Sequence, residues 1–368
     1  VTFSGARLRV ARSFHGLTQR ELADKVSVAN SLIAAFENGV KQPSDEIREA
    51  LCATLRVEEP YFDVAHTDEF QEAESNFRRR ITASGKTKRQ VLARATMFGM
   101  VIDRLRTFGE FPPFNFPSFP AKTLGDVEGI AERCRYHWGL GIDAPIGDVA
   151  SVAENAGAVI LNVDIGTAEK VDAFSRFGQN SVIVLNTEKD SPSRTLFSLA
   201  HEIGHGVLHQ HASARSMPLD LKETEADYFA GAFLLPRDAF AADFLANRAL
   251  DWEGLLDMKR YWRVSLQAML HRAHQLRLID AAEYRLRFKK LSVWGWRKEE
   301  PEEPAPEQPV LFGEAMQRAY ADYRKRPADL AKELGWTRDI FESTTGVLIP
   351  DGGDTKLSLV GRRPLRIS

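Results

Sequence analysis

The sequence predicts a multidomain chain in which an all-α domain is followed by a mixed α+β domain. Three observations carry that prediction. Residues 1–66 hold four apolar patterns at helical spacing and no strand pattern. Residues 158–186 hold three short runs rich in Val, Ile and Phe, set between amphipathic helices. Proline-rich stretches at 111–120 and 299–309 break the chain on either side of that second region.

In the first region the helices are expected at 6–14, 18–26, 30–38 and 45–55. Thr18 with Glu21 three residues on is a capping-box pair. Gly16, Gly39 and Pro43 mark turns. Residues 66–74 are polar and acidic and read as a linker. A long helix follows over 77–108. From Arg78 to Arg106 it has nine Lys/Arg and one acid, Asp103. That is a solvated basic face or a surface that tracks phosphates. Phe111-Pro-Pro-Phe-Asn-Phe-Pro-Ser-Phe-Pro120 suits neither helix nor central strand, because proline lacks an N–H and restricts its predecessor. It reads as an extended arm that lays its phenylalanines on a neighbouring surface.

Beyond it, helices are expected at 127–138 and 146–156, strands at 158–163, 172–177 and 181–186, and helices at 191–209 and 221–235, the last ended by Pro236. More helices run to about residue 290. Residues 299–309 form an acidic, proline-rich linker. Residues 310–368 suit two or three small helices with a basic end, Arg362, Arg363 and Arg366, and their role is open.

Composition narrows the function classes. The chain has 368 residues, 43% hydrophobic and 27% charged, which is globular and long enough for a sizeable core. The net charge of −2 rules out a polycation, so nucleic-acid contact needs a local patch. Two cysteines, Cys52 and Cys134, cannot staple a chain of this size. Cys134 has His137 beside it, but two residues do not complete a metal site, and packing is the expected role. No run approaches a membrane span. The first ten residues hold Arg7 and Arg9 and lack the apolar run of a signal peptide. A soluble cytoplasmic protein is the expectation.

His201-Glu-Ile-Gly-His205 matches H-E-x-x-H inside a helical pattern. Spacing of four puts both imidazoles on one helix face, where they can share a Zn²⁺. Glu202 is the expected general base for a zinc-activated water. Three residues compete to be the third ligand. Glu223 lies on the next helix, four residues before Asp227 and on its face, so Asp227 could hold a ligand histidine's other N–H. Glu225 faces away from Glu223 by about 200°. His211 sits ten residues after His201, the spacing of the longer H-E-x-x-H-x-x-G-x-x-H motif. Leu208 stands where that motif has its turning glycine, so the helix is expected to continue and point His211 elsewhere. His209, one turn past His205, is either a further ligand or a packed histidine. Asp172 and Ser175 lie on an expected edge strand that could take an extended peptide by strand addition.

In the first region, Leu17-Thr-Gln-Arg-Glu-Leu-Ala-Asp-Lys-Val26 and Ser31-Leu-Ile-Ala-Ala-Phe-Glu-Asn-Gly39 resemble the Xre/Cro-type helix-turn-helix. The resemblance implies a DNA-binding domain whose recognition helix starts near Asn30. Gln19 could reach a phosphate or a base, and Asn30 and Ser31 face base edges. Arg7, Arg12, Arg20 and Lys41 are phosphate candidates. Residues 1–42 have six Lys/Arg and three acids, a modest +3, so protein docking is the alternative use of this domain.

The second region resembles the ImmA/IrrE family of bacterial zinc metallopeptidases. The matching residues are Val171-Asp-Ala-Phe-Ser175, Val182-Ile-Val-Leu-Asn186, Arg194 through His205, Val207-Leu-His209, and Glu223-Thr-Glu-Ala-Asp227 through Pro236. The resemblance implies an all-α helix-turn-helix domain followed by an α+β zincin-like metallopeptidase domain. It also implies zinc held by His201, His205 and Glu223, Glu202 as base, and cleavage of a partner repressor or antitoxin-like protein in response to a signal. Many family members have Asn where this chain has Asp227, which is compatible with a hydrogen-bonding role. Two other functions remain open. One is a ligand-sensing transcriptional regulator whose peptidase-like domain does not cleave. The other is a toxin–antitoxin component that works by docking. A dimer is compatible with each.

Overall fold

The computed structural model describes residues 3–64, 85–164, 173–178, 180–186, 191–211, 214, 216–246, 251–349 and 365–366. The expected linker at 66–74, the basic residues 78–80, Asp172 and the arginines at 362 and 363 lie outside them.

Four helices open the chain, α1 (Gly5–Phe14), α2 (Gln19–Lys25), α3 (Asn30–Glu37) and α4 (Asp45–Leu55), then a 3-10 turn at Glu59–Asp63. Ser4 and Ser44 cap α1 and α4, and Thr18 with Glu21 forms the expected reciprocal box on α2. Leu8, Leu22, Ile33, Phe36, Leu51 and Leu55 meet at the centre, all at most 2% exposed.

In the long helix α5 (Gly85–Arg106) the basic-surface expectation fails at Arg94. It is buried on every face from Gln90 to Ile102 and runs through the core, with Met97, Phe98, Val101 and Ile102 among the buried residues. Arg94 is also buried, stacked 5.0 Å over the Phe14 ring and bonded to the Ser343 carbonyl. Arg104 pairs with Glu333 at 2.7 Å, and Arg106 lies 4.7 Å over Phe111. Arg94 is committed inside the molecule, while Arg104 and Arg106 are half-buried and held by these contacts. Lys86 and Arg89, near its start, stay exposed.

The second half of the chain builds α6 (Leu124–His137), α7 (Val149–Asn155), β1 (Val159–Asp164), β2 (Ala173–Arg176), β3 (Val182–Asn186), α8 (Pro192–Leu208), α9 (Leu219–Leu234), α10 (Arg237–Ala246), α11 (Trp252–Trp262), α12 (Leu266–Gln275) and α13 (Ala281–Val293). Helices α14 (Leu311–Tyr323), α15 (Pro327–Glu333) and α16 (Arg338–Thr345) follow, and β4 (Leu365–Arg366) adds two residues. The sheet order is β2-β3-β1-β4. β1 runs parallel to β3 and to β4, and β2 runs antiparallel to β3, with Ser175 opposite Ile183. The period of two divides the sheet between two cores. Val159, Leu161, Phe174, Val182 and Val184 face the core built by α1–α5 and α14–α16. Ile160, Ala173, Ile183 and Leu185 face the core of α6–α13.

Residues 311–349 therefore close the N-terminal core. Phe312 meets Phe98 with ring centroids 5.0 Å apart. The Glu58 amide donates to the Gly335 carbonyl at 2.8 Å, and Val57 and Trp336 form an antiparallel bridge. Gly335 has φ +68°, and a Cβ there would sit 2.5 Å from the Tyr61 amide.

Both proline-rich stretches are fixed. The arm at 111–120 buries Phe116 against Phe177 (4.8 Å) and Trp138 (5.7 Å), as expected, while Phe114 stays 40% exposed. The acidic stretch 299–309 is a strap whose glutamates accept from helix N-termini. Glu300 takes the Leu266 amide of α12 at 2.7 Å, Glu303 takes Ser193 of α8 at 2.9 Å, and Glu307 takes Ala150 of α7 at 2.8 Å. Lys259, fully buried, joins Glu300 (3.0 Å) to Glu303 (2.8 Å).

Candidate metal centre

Helix α8 starts with Pro192 at its first turn and is buried almost throughout. It packs on β2, β3 and α9. Gly206 permits part of that contact, since a Cβ would fall 2.6 Å from the Phe177 ring. One turn of α8 carries His201 and His205, each 1% exposed, with Glu202 fully buried between them. Helix α9 crosses α8 and brings Glu223 over both imidazoles.

The Nε2 atoms of His201 and His205 are 3.0 Å apart. Glu223 Oε1 lies 3.3 Å from His205 Nε2, and Oε2 lies 3.7 Å from His201 Nε2. One ligand atom from each of the three residues lies within 4.8 Å of the others. Tetrahedral ligands about 2.0–2.1 Å from a zinc ion stand roughly 3.3 Å from one another. The donor atoms have that spacing, and two imidazoles with one carboxylate are a donor set that zinc accepts. The residues fit the ion.

The alternatives for the third position are used elsewhere. Glu225 Oε2 is 3.1 Å from His209 Nε2, and His209 Nδ1 is 2.9 Å from His205 Nδ1. Helix α8 ends at Leu208 and does not continue through His211 as expected, yet His211 still stays out of the cluster. Asp227, on the Glu223 face of α9, lies 2.9 Å from His201 Nδ1. Burial pushes the His209 imidazole down to about 2, with the neighbouring His205 adding to the effect, and burial pushes Glu225 up.

Ser175 is the residue whose place here the sequence reading missed. Its hydroxyl, fully buried, donates to Glu202 Oε2 at 2.5 Å. The strand period held the signal, because Ser175 shares the α8-facing side of β2 with Ala173. Among the described residues β2 lies at the sheet edge, as expected. Cys134 packs in the core with its thiol pushed up by burial to about 12, and His137 is exposed and bonded to Asn115 at 2.9 Å.

In the N-terminal domain, Arg20, Asn30, Ser31 and Lys41 are exposed. Gln19 is half-buried and donates to Glu37 Oε2 at 2.7 Å. Arg7 and Arg12 correct the phosphate expectation. Arg12 is 7% exposed and bound to Glu37 at 2.5 and 3.1 Å; Arg7 is 6% exposed and lies over the Tyr61 ring at 5.1 Å. Glu37 thus ties α1, the start of α2 and α3 together, where a buried carboxylate needs such partners.

Residues 153–274 match the family model described as the IrrE N-terminal-like domain of the M78 peptidases, and residues 15–62 match the helix-turn-helix model. The family resemblance read from the motifs therefore holds for both parts of the chain. No curated protein matches the chain.

Proposed function

We propose that this helix-turn-helix protein with an IrrE N-terminal-like domain is a zinc endopeptidase that cuts a partner transcriptional repressor or antitoxin-like protein. The helix-turn-helix supports DNA binding, through exposed Arg20, Asn30, Ser31 and Lys41, and makes the protein a regulator. Among the described residues no helix is long and apolar enough to cross a membrane.

The observation that carries the peptidase reading is the meeting of His201, His205 and Glu223 beside a buried Glu202. A zinc ion held there supplies Lewis-acid polarisation of a peptide carbonyl and acidifies the attacking water. His201 and His205 would hold the ion through Nε2, and Asp227 would keep the His201 ring turned by its contact at Nδ1. Glu202 takes up the proton and returns it to the leaving amine. Ser175 fixes the carboxylate by donating to Oε2, so proton uptake falls to Oε1. β2 is paired on one side only among the described residues, and its open side suits an extended substrate segment. A domain that only senses a ligand has no need of this general base.

The test compares wild type with Glu202→Gln in cells that lack the protein, with new protein N-termini read by mass spectrometry. The expected result is a new N-terminus within a repressor, present with wild type and absent with the variant. Identical N-termini and identical regulation with both would overturn the peptidase reading and favour the sensor.

A further inference from the structure

The three ligands and the base leave two buried polar groups beside them unexplained, His209 and Glu225. We propose that they are positioning residues that set the ring tautomer of His205 for metal binding. This deepens the metal-site reading above and rests on it.

The hydrogen-bond chain admits one assignment. His205 Nε2 faces His201 Nε2 at 3.0 Å and Glu223 at 3.3 Å, so it is the ligand atom and carries the lone pair. A neutral imidazole has one N–H, which then sits on Nδ1. That N–H points at His209 Nδ1, 2.9 Å away, so His209 accepts there and is bare at Nδ1. The single N–H of His209 is therefore on Nε2, 3.1 Å from Glu225 Oε2, and a carboxylate is an acceptor. Reversing any one proton reverses the others and places an N–H on the ligand atom of His205.

Burial makes the relay matter. The side chains of His205, His209 and Glu225 are 0, 1 and 5% exposed, so water has little access to replace a lost partner. The equivalent support of His201 differs. Asp227 holds its Nδ1 directly and is 41% exposed, so water can stand in for that carboxylate. The two ligand histidines thus depend unequally on their supports.

The experiment measures zinc affinity of the full chain by chelator competition, with Co²⁺ absorption as a second probe of ligand geometry. The variants are His209→Ala, His209→Asn, Glu225→Gln, His209→Asn with Glu225→Gln, and Asp227→Ala. The His209→Ala variant should weaken zinc about 10–100-fold. Asparagine at 209 offers Oδ1 near the position of Nδ1 and should restore affinity to within about threefold. Glu225→Gln can donate its amide to His209 Nε2 and invert the relay. It should weaken zinc about tenfold alone and have no effect when residue 209 is asparagine. Asp227→Ala should cost less than His209→Ala.

The relay is overturned if His209→Ala stays within about twofold of wild type, or if Glu225→Gln loses the same factor in both backgrounds. Unfolding midpoints of the metal-free variants separate lost ligation from lost folding. If His209→Ala does not fold, the asparagine background carries the test. Wild type that takes up no stoichiometric zinc would overturn the metal-site reading itself. Tight wild-type binding with unaffected variants would overturn the relay alone.

Discussion

Replacing Glu300 by Ala tests whether the acidic strap is a structural member of the fold. Lys259 and Glu300 are 0 and 1% exposed in their side chains and 3.0 Å apart. Removing one partner of a buried pair costs about 3–5 kcal/mol, because the remaining charge is left in a poor solvent. Glu303 still reaches Lys259 at 2.8 Å, so the lower end applies. Glu300 also accepts from the Leu266 amide at 2.7 Å and from Gln267 at 3.3 Å. Ser265 still caps α12 through Ala268, so the cap loss adds only about 0.5–1 kcal/mol. The sum is about 3.5–4 kcal/mol, or roughly 7–16 °C in Tm at 2–4 °C per kcal/mol for a large domain. Thermal and denaturant unfolding read it. Lys259→Met with Glu300→Leu removes both charges and should lose less than Glu300→Ala alone. A loss for Glu300→Ala below about 1 kcal/mol, or a double variant worse than the single, would refute the reasoning.

Four further outcomes are expected. Glu223→Ala should abolish stoichiometric zinc, and zinc at about 100 times its Kd should then lose the roughly 2.7 kcal/mol of stabilisation it gives wild type in unfolding assays. Arg12→Ala should destabilise the N-terminal domain by about 3–5 kcal/mol, since Glu37 stays buried without its cation; a surface-like loss of a few tenths would contradict the assignment. Arg20→Ala should leave unfolding unchanged, weaken DNA binding across sequences, and reduce the salt slope by about 1 in titrations at several salt concentrations. Stability should fall on acidification, as denaturation from pH 6 to 3 would show. Burial pushes Glu303 and Glu128 up, but hydrogen bonds from Lys259 and Ser193, and from Arg272, outweigh it and hold both below the usual range. Their contribution is present above the unfolded value of about 4.3 and is lost as pH falls through the folded values. Glu307, pushed up by burial, works in the opposite sense and softens the loss.

The parts of this protein that were legible in the sequence are local. The Thr18–Glu21 box, the four-residue spacing of His201 and His205, and the same spacing of Glu223 and Asp227 all act within one or two turns of helix, where chain geometry alone sets neighbours. Burial of charge was not legible. Arg7, Arg12 and Arg94 read as cations facing solvent or phosphate, because residue type carries no record of an acceptor 25 or 249 residues away. The α5 segment looked basic for the same reason, although it is buried on every face from Gln90 to Ile102. Ser175 and His209 lay in quoted motifs, but their contacts to Glu202 and Glu225 cross from strand to helix and from helix to helix.

By itself, the sequence determined the helix-turn-helix, the α+β domain and the pair of histidines on one helix turn, because periodicity and capping are properties of short segments. The tertiary structure alone decided that Glu225 meets His209 and Ser175 meets Glu202, that the last helices complete the N-terminal core, and that an acidic linker is a strap on three helix ends. Each of those depends on how α8, α9, the sheet and the strap pack. Packing is settled by burying apolar area and satisfying buried polar groups across the whole chain at once, and no local pattern encodes that.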